Sequence, residues 1–412
     1  MAPKIHLRKR ATPTETELVQ GRFFAPCPRG LESILEQELH GLDIPDTTRT
    51  DGGVGFSGSW ATMTRANLHS RIASRILWEI SRAHYRTESD IYEAALAIPW
   101  PTWFTPDDTI KVKISAQRCP LKSLDFLTLR IKDAVCDAFR NARLKRPSVD
   151  TNKPDVRIDA FLDARTLTLY LDTTGDPLFR RGHRLHHVDA PLRENLAAGL
   201  LQLSAWTPDI PLLDPMCGGG TISVEAASIA AGIAPGLSRQ FAFEKWLTHD
   251  RTLWERQRAQ ARAQQTATSA AAPSIVASDI DPSMVAVAQR VFDHAGVADR
   301  IQLSQQDVLT VTPPEQPGVI ILNPPYGERI GATESLRAFY PELGNWLKQR
   351  CAGWRAYILT GDAELQHGIG LTPTKRIPLY NGPIECRVYE FIMVEGSARR
   401  RLAPIATTDP HA

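Results

Sequence analysis

Apolar and polar positions alternate differently on the two sides of Pro211. Before it, FFAPCPRGLESILEQELHGL (23–42) passes from a short strand through turn residues into an amphipathic helix, with Leu31, Ile34, Leu35, Glu38 and Leu39 at helical spacing. TDGGVGFSGSW reads as a glycine-rich turn and strand, MTRANLHSRIASRILWEI (63–80) as a second helix, and YEAALAIPWPTWF as a stretch broken at its prolines. TIKVKISA (109–116) alternates as a half-buried strand, FLTLRIKDAVCDAFRNAR (126–143) is a third helix, and VRIDAFL and TLTLYLDT make a strand pair. The first half is therefore an α+β mixture.

From Pro211 onward, strands and helices take turns. LLDPMC, IVASDID, IQLSQQD, VIILNPPYG and AYILTGD read as strands, and TISVEAASIAAGI, MVAVAQRVFDHAG and LRAFYPELGNWLKQRC as helices. That order predicts a mostly parallel sheet covered by helices on both faces, in which ligands sit outside the carboxyl ends of the strands.

Residues with ligand chemistry fall at those ends. DPMCGGGT (214–221) follows a strand and opens a helix, where glycines let backbone amides approach a ligand. Its spacing is neither GxxxxGK[ST] nor GxGxxG, which argues against a triphosphate or classical dinucleotide site. Without a partner base in view, Cys217 reads as a small residue packed at the base of the loop rather than a nucleophile. In SDIDP (278–282), Asp279 is suited to accept bonds from a ribose diol, while Asp281 before Pro282 reads as a helix cap. Asp307 ends the next strand and could take a bond from an adenine amino group. In NPPYG, Asn323 and the Pro324 carbonyl can each accept one hydrogen of an exocyclic amine, with Tyr326 stacking on a flat base. Taken singly, each of these stretches is also explained as a turn or a cap. Their recurrence at successive strand ends is what points to a site.

Composition narrows the setting. A length of 412 residues implies two or three domains, and the 42% hydrophobic content is ordinary for a globular protein. No apolar run approaches the roughly 20 residues that span a bilayer, and the basic, polar start lacks a secretory apolar segment, so a soluble cytoplasmic protein is expected. Six scattered cysteines without a CxxC pair argue against a zinc site or disulfide framework. A net charge of +2 leaves nucleic-acid binding to local patches, here Arg143, Lys145 and Arg146, and the run Arg180, Arg181, His183 and Arg184, which charge alone reads as a solvated face.

Together, DPMCGGGT, SDIDP, QQD and NPPYGER resemble the class I S-adenosylmethionine-dependent amino-methyltransferases, and more closely the bacterial 23S ribosomal RNA guanine-N2 methyltransferases. PRGLE, DGGVGF, LDTTGDPLFRRGHR, APLRENLAA and NGPIEC stand in that family's order, so the resemblance runs from about Phe23 to Ile392. It implies an α/β Rossmann-like class I methyltransferase domain with a mostly parallel seven-stranded sheet, preceded by an α+β ferredoxin-like and THUMP region. The implied boundaries are a disordered tail at 1–20, a ferredoxin-like segment at 21–61, the THUMP RNA-binding domain at 62–173, a linker at 174–190, the methyltransferase domain at 191–396 and a tail at 397–412.

The same resemblance implies S-adenosyl-L-methionine as methyl donor, held by Pro191, Asn195, Asp214, Cys217, Gly218, Gly220, Asp279, Ile280, Asp307 and Asn323. Asn323, Pro324, Pro325 and Tyr326 would orient the guanine, and the basic run at 180–184 would touch phosphate. No metal is needed for that transfer. The implied partner is 23S ribosomal RNA or a large-subunit precursor. The chain departs from the family in having Gly219 where Ser is common, Asn195 where Thr is frequent, and a long insert rich in Ala, Gln and Arg at about 236–272. Relatives are often fused to a second methyltransferase, and a chain ending at Ala412 implies only the first activity. Two alternatives remain open at this point. An adenine-N6 methyltransferase acting on DNA or RNA would share the NPPY corner, and a non-catalytic RNA-binding assembly factor would lack cofactor binding.

Overall fold

The computed structural model describes residues 20–182, 192–267, 274–324, 333–362, 365–382 and 384–395. The tails expected at 1–20 and 397–412 lie outside them except for Gln20. Two seven-stranded sheets account for the strands.

The first sheet takes β1 (Gly21–Pro26), β2 (Thr47–Thr50), β3 (Gly53–Gly58), β4 (Leu77–His84), β5 (Ile110–Ala116), β6 (Val156–Leu162) and β7 (Thr166–Asp172) in the order β2-β3-β1-β4-β7-β6-β5. Its pairs are antiparallel except β5 with β6. Helices α1 (Glu32–Gly41), α2 (Trp60–His69), α3 (Glu88–Leu96) and α4 (Leu124–Asn141) complete this half. Side-chain caps set three of their starts: Ser59, Thr87 and Ser123 each accept a hydrogen bond from the backbone N–H three residues on.

One expected helix is corrected. The stretch 63–80 divides into the end of α2 and the start of β4, and a buried carboxylate explains the break. Glu38 of α1 accepts from the Ser70 hydroxyl at 2.6 Å and from the Arg71 and Ile72 amides at 2.8 and 3.3 Å. Those amides are thereby drawn out of a helical ladder, and Trp78 and its neighbours pair instead with β1 and β7. A tertiary contact overrides a local helical period.

The second sheet contains β8 (Leu212–Asp214), β9 (Ile275–Asp279), β10 (Ile301–Gln305), β11 (Val319–Leu322), β12 (Arg355–Thr360), β13 (Lys375–Asn381) and β14 (Ile384–Ile392), in the order β10-β9-β8-β11-β12-β14-β13. The first five are mutually parallel, and β14 is antiparallel to both its neighbours. The closing hairpin β13–β14 was not expected from the sequence. Its helices are α5 (Glu194–Leu203), α6 (Thr221–Ala230), α7 (Arg251–Ala267), α8 (Pro282–Ala295), α9 (Thr333–Arg350) and the single turn α10 (Leu365–Gly368). Strand side chains alternate between two cores. Leu212, Val319, Ile321 and Leu359 join α5 and α6 on one face, and Leu213, Ile320, Leu322 and Ile358 join Tyr340, Leu343 and Trp346 of α9 on the other.

The first of those cores is continuous across both halves. The described part of the insert, residues 236–267, lies in the seam: the Gly236 amide donates to Leu68 O, Leu247 to Trp103 O and the Gln257 side chain to Ala61 O, all at 2.9 Å. Trp246 stands 6.1 and 6.2 Å from the rings of Trp60 and Trp78. At the same seam Glu225 of α6 is gripped from the first half and the linker. Arg71 Nη1 donates to one of its oxygens at 3.1 Å and Arg181 Nε to the other at 3.0 Å, while Arg181 also donates to Leu178 O and Arg71 O. Burial alone would push the Glu225 carboxyl up, but the two guanidiniums outweigh it and hold it below the usual range.

Glu225→Ala leaves two guanidiniums buried without their carboxylate, which is expected to lower unfolding free energy by about 3 to 5 kcal/mol. Denaturant titration of both proteins measures it, and a loss near zero would mean that water reaches the pair.

Candidate functional site

Strand order reverses at β8: the chain builds β9 and β10 on one side of it and β11 on the other. A crevice opens where such a reversal occurs, outside the carboxyl ends. Register puts Asp214, Asp279, Gln305 and Leu322 on one rim, because β9 pairs Asp279 with Gln305 and Ala277 with Asp214, and β11 pairs Ile320 with Leu213.

Asp214 is fully buried. Its Oδ2 accepts from Ser223 Oγ at 2.7 Å, and its Oδ1 has no partner among the described residues. Burial, with a smaller contribution from the Asp279 charge, pushes this carboxyl up to about 7.

The loop above it turns on two left-handed glycines. Gly218 has φ +53°, open space where a Cβ would be, and an amide that donates to Asp279 Oδ2 at 2.8 Å. Gly220 has φ +77°, and a Cβ there would come within 2.4 Å of the Phe292 ring on α8, so no side chain fits. Cys217 is buried, with its amide bonded to Ser278 O at 2.9 Å. Burial first, then the charges of Asp214 and Asp279, push its thiol well up, which keeps it protonated and unsuited to nucleophilic attack.

Asp279 uses one lone pair of each oxygen, on the Gly218 and Asp281 amides, and a carboxylate retains further acceptor sites. Ile280 stands 64% exposed beside it. Asp281 caps α8 through the Ser283 amide at 2.8 Å, as its place before Pro282 suggested. Asp307 caps a short turn, Oδ1 accepting from the Leu309 amide at 3.0 Å. At the end of β11, Asn323 is half-buried and its Oδ1 finds no partner among the described residues, while Pro324 is buried. Pro325, Tyr326 and Pro191 lie outside the described residues. Asn195 is buried and donates to Ile72 O and Ser74 Oγ at 3.3 and 3.2 Å, which ties α5 to the first half and leaves only its Oδ1 unpartnered.

The basic residues divide. Arg143, Lys145 and Arg146 are exposed together after α4, and Arg180 is exposed 3.9 Å from Asp176. Arg181 is a correction: at 3% exposure, with its guanidinium committed to Glu225 and two carbonyls, it holds the seam and does not face a phosphate. His183 and Arg184 lie outside the described residues. Glu225 and Arg71 escaped sequence reading. The available signal was one acid in the otherwise small and apolar helix TISVEAASIA, which needs a buried cation.

Three family models match in succession: an RlmL ferredoxin-like domain over residues 22–77, a THUMP domain over 85–172, and the RMKL-like methyltransferase domain over 181–390. The chain belongs to the RMKL-like methyltransferase family. Its second half is accordingly a class I methyltransferase fold, behind a ferredoxin-like and THUMP region. The chain is 40% identical to the "Ribosomal RNA large subunit methyltransferase K/L" of Allochromatium vinosum over 90% of its own length and 51% of the relative's, and equally to that of Methylococcus capsulatus. It spans about half the length of these curated relatives. Among solved structures it is similar to SMU.472 in complex with SAH, with TM-score 0.82, 30% identity, and coverage of 92% of this chain and 99% of that one. A Listeria monocytogenes protein described as a "predicted N6-adenine-specific DNA methylase" gives TM-score 0.81 and 29% identity, covering 91% and 96% of the two chains. No described helix is long and apolar enough to cross a membrane.

The Asp214 carboxyl gives the protein a pH signature. An ordinary aspartate titrates near 4, so between about 4 and 7 the folded state keeps a proton that the unfolded chain has released. The stability this contributes is complete below about pH 4 and is lost as pH rises to about 7. The difference in unfolding free energy between the parent and Asp214→Asn is expected to fall across that window and flatten above it. A difference independent of pH contradicts the burial argument.

Proposed function

We propose that this chain transfers a methyl group from S-adenosyl-L-methionine to the exocyclic N2 amine of a guanine in 23S ribosomal RNA. The observation that carries the reading is the unpartnered Asn323 Oδ1 at the end of β11, on the same rim as the glycine loop and Asp279. Buried polar atoms are seldom left without a partner, so this acceptor is suited to a ligand N–H. The ribosomal RNA target draws on the names of the K/L relatives and on the THUMP match.

The described residues fit the donor. Gly218 has open space where a side chain would stand, Asp214 Oδ1 has no partner among the described residues, Asp279 has acceptor capacity left for a ribose diol, exposed Ile280 offers an apolar face to adenine, and Asp307 retains acceptor capacity for its amino group. S-adenosyl-L-methionine, when bound, supplies an electrophilic methyl group on a positively charged sulfur. The chain's own part is to aim the acceptor. An aryl amine is a weak nucleophile because its lone pair is delocalised into the ring. Asn323 Oδ1 and the Pro324 carbonyl accept its two N–H groups and orient the nitrogen, and the same reading gives Pro325 and Tyr326 the fixing and stacking of the base. A guanine inside a folded RNA must leave its stack to reach this corner. Arg143, Lys145 and Arg146 are exposed where they can meet phosphate, as is Arg180 beside Asp176.

Labelled methyl transfer is expected to 23S RNA transcribed in vitro and not to duplex DNA, with the label recovered as N2-methylguanosine on nucleoside mass analysis. Label in N6-methyladenine instead, the reading that the Listeria neighbour's description favours, rejects the guanine assignment. Asn323→Ala is expected to cut kcat by about 100-fold or more with donor affinity within a few-fold, whereas Asp279→Asn weakens the donor first.

A further inference from the structure

Two arginines unused so far stand on the same rim as Asn323. β14 runs antiparallel to β12, pairing Arg387 with Thr360, so the turn that joins β13 to β14 projects past the carboxyl end of β12. β11 leaves the sheet beside it, with Leu322 opposite Ile358. The hairpin turn and the asparagine corner therefore share one edge of the molecule.

Each arginine is held against this turn. Gly382 has φ +66°, and a Cβ there would lie 2.9 Å from Arg193 Nη2, so the missing side chain is what admits the guanidinium. Arg193, at the start of α5, also packs its Cζ 5.0 Å from the centre of the Phe179 ring. Two residues before Gly382, the Tyr380 ring lies 6.0 Å from the Cζ of Arg29. The Arg29 loop is seated by backbone contact, since a Cβ on Gly30 would come within 2.3 Å of the Pro378 carbonyl oxygen.

Neither arginine makes an ion pair among the described residues. The contrast with Arg71, Arg75, Arg157 and Arg181 is plain, because all four have carboxylate partners. Glu385, the acid nearest in the hairpin, lies 3.8 Å from Arg387. A guanidinium packed on an aromatic ring keeps its in-plane N–H groups free, in a fork suited to two oxygens of an anion. Tyr380 and Gly382 are about 6.6 Å apart along an extended chain, so the two arginines are held against one short stretch of the hairpin.

We propose that Arg193 and Arg29, both held against the Tyr380–Gly382 turn, grip the RNA phosphodiester backbone next to the target nucleotide. This rests on the RNA reading above and adds a binding site to it. The second source of such an anion is the carboxylate of the methyl donor, and the test separates them.

Arg29→Gln and Arg193→Gln remove charge at similar length, and Arg193→Lys keeps it. Binding of in vitro transcribed 23S RNA is measured from 50 to 200 mM KCl, and S-adenosylmethionine affinity by calorimetry. Each Gln variant is expected to flatten the slope of log K against log[salt] by about 0.7 to 0.9, the contribution of one phosphate contact, with donor affinity unchanged within twofold. Arg193→Lys retains the slope. An unchanged slope in both Gln variants overturns the proposal, and so does a tenfold loss of donor affinity in Arg193→Gln with the slope intact, which would assign that residue to the donor's carboxylate. Exposed Arg29 gives a variant that folds even if Arg193→Gln does not. Failure of the parent protein to bind 23S RNA at all would strike the RNA reading itself, a result distinct from either.

Discussion

The Glu225 carboxylate, closed between Arg71 and Arg181, sets the geometry of everything above it. Glu225 sits one turn inside α6, and α6 begins at the glycine loop. Arg71 belongs to the turn that ends α2, and Arg181 to the exit of the first half. A buried ion pair adds little net stability, since desolvation offsets most of the attraction. Its strength is directional: each guanidinium points at one oxygen, and its other donors are spent on the Ile233, Leu178 and Arg71 carbonyls. The loop and the first half are thus tied to one rigid point.

From that point the rim follows by short steps. Ser223, two residues before Glu225 on α6, orients Asp214; the Gly218 amide binds Asp279; and the Asp279 carbonyl accepts from the Gln306 amide beside Asp307. Asp279 therefore has two roles. It closes the glycine loop and caps its own turn before it meets any ligand, which explains why an acid stands there and why its replacement disturbs more than one contact. Gly220 repeats the theme, since the Phe292 ring occupies the space that a side chain would need.

Much of this was legible in the sequence, for a physical reason. Strands buried on both faces read as unbroken apolar runs, their ends are marked by a change to glycine, aspartate or proline, and ligand chemistry gathers at those ends. The parallel core of the second sheet was legible that way, and residues 214, 279, 307 and 323 do stand at or just beyond the ends of its strands. What escaped was tertiary. The 63–80 stretch has a helical period, yet Glu38, far off in sequence, takes the amides that a helix would need. Arg181 looked like a surface cation in a basic run, because its carboxylate lies 44 residues away on another element. The hairpin β13–β14 is mixed in burial along each strand, so no clean alternation announced it.

The seam bears directly on the proposed reaction. Methyl transfer to an aryl amine depends on holding two atoms in line to a fraction of an ångström, and a base drawn from a folded RNA arrives attached to a large, charged body. A loose tether between the half that grips RNA and the half that holds the donor would let that body move the base by more than the reaction tolerates. Here the halves share a core, are joined by the Gly236 amide on Leu68 O and the Leu247 amide on Trp103 O, and pack Trp246 of the insert against Trp60 and Trp78 of the first half. On the proposed reading, the distance from the RNA contacts to the Asn323 corner is then a property of the fold. On that reading an RNA would be selected by whether its target base reaches the corner when its backbone is seated.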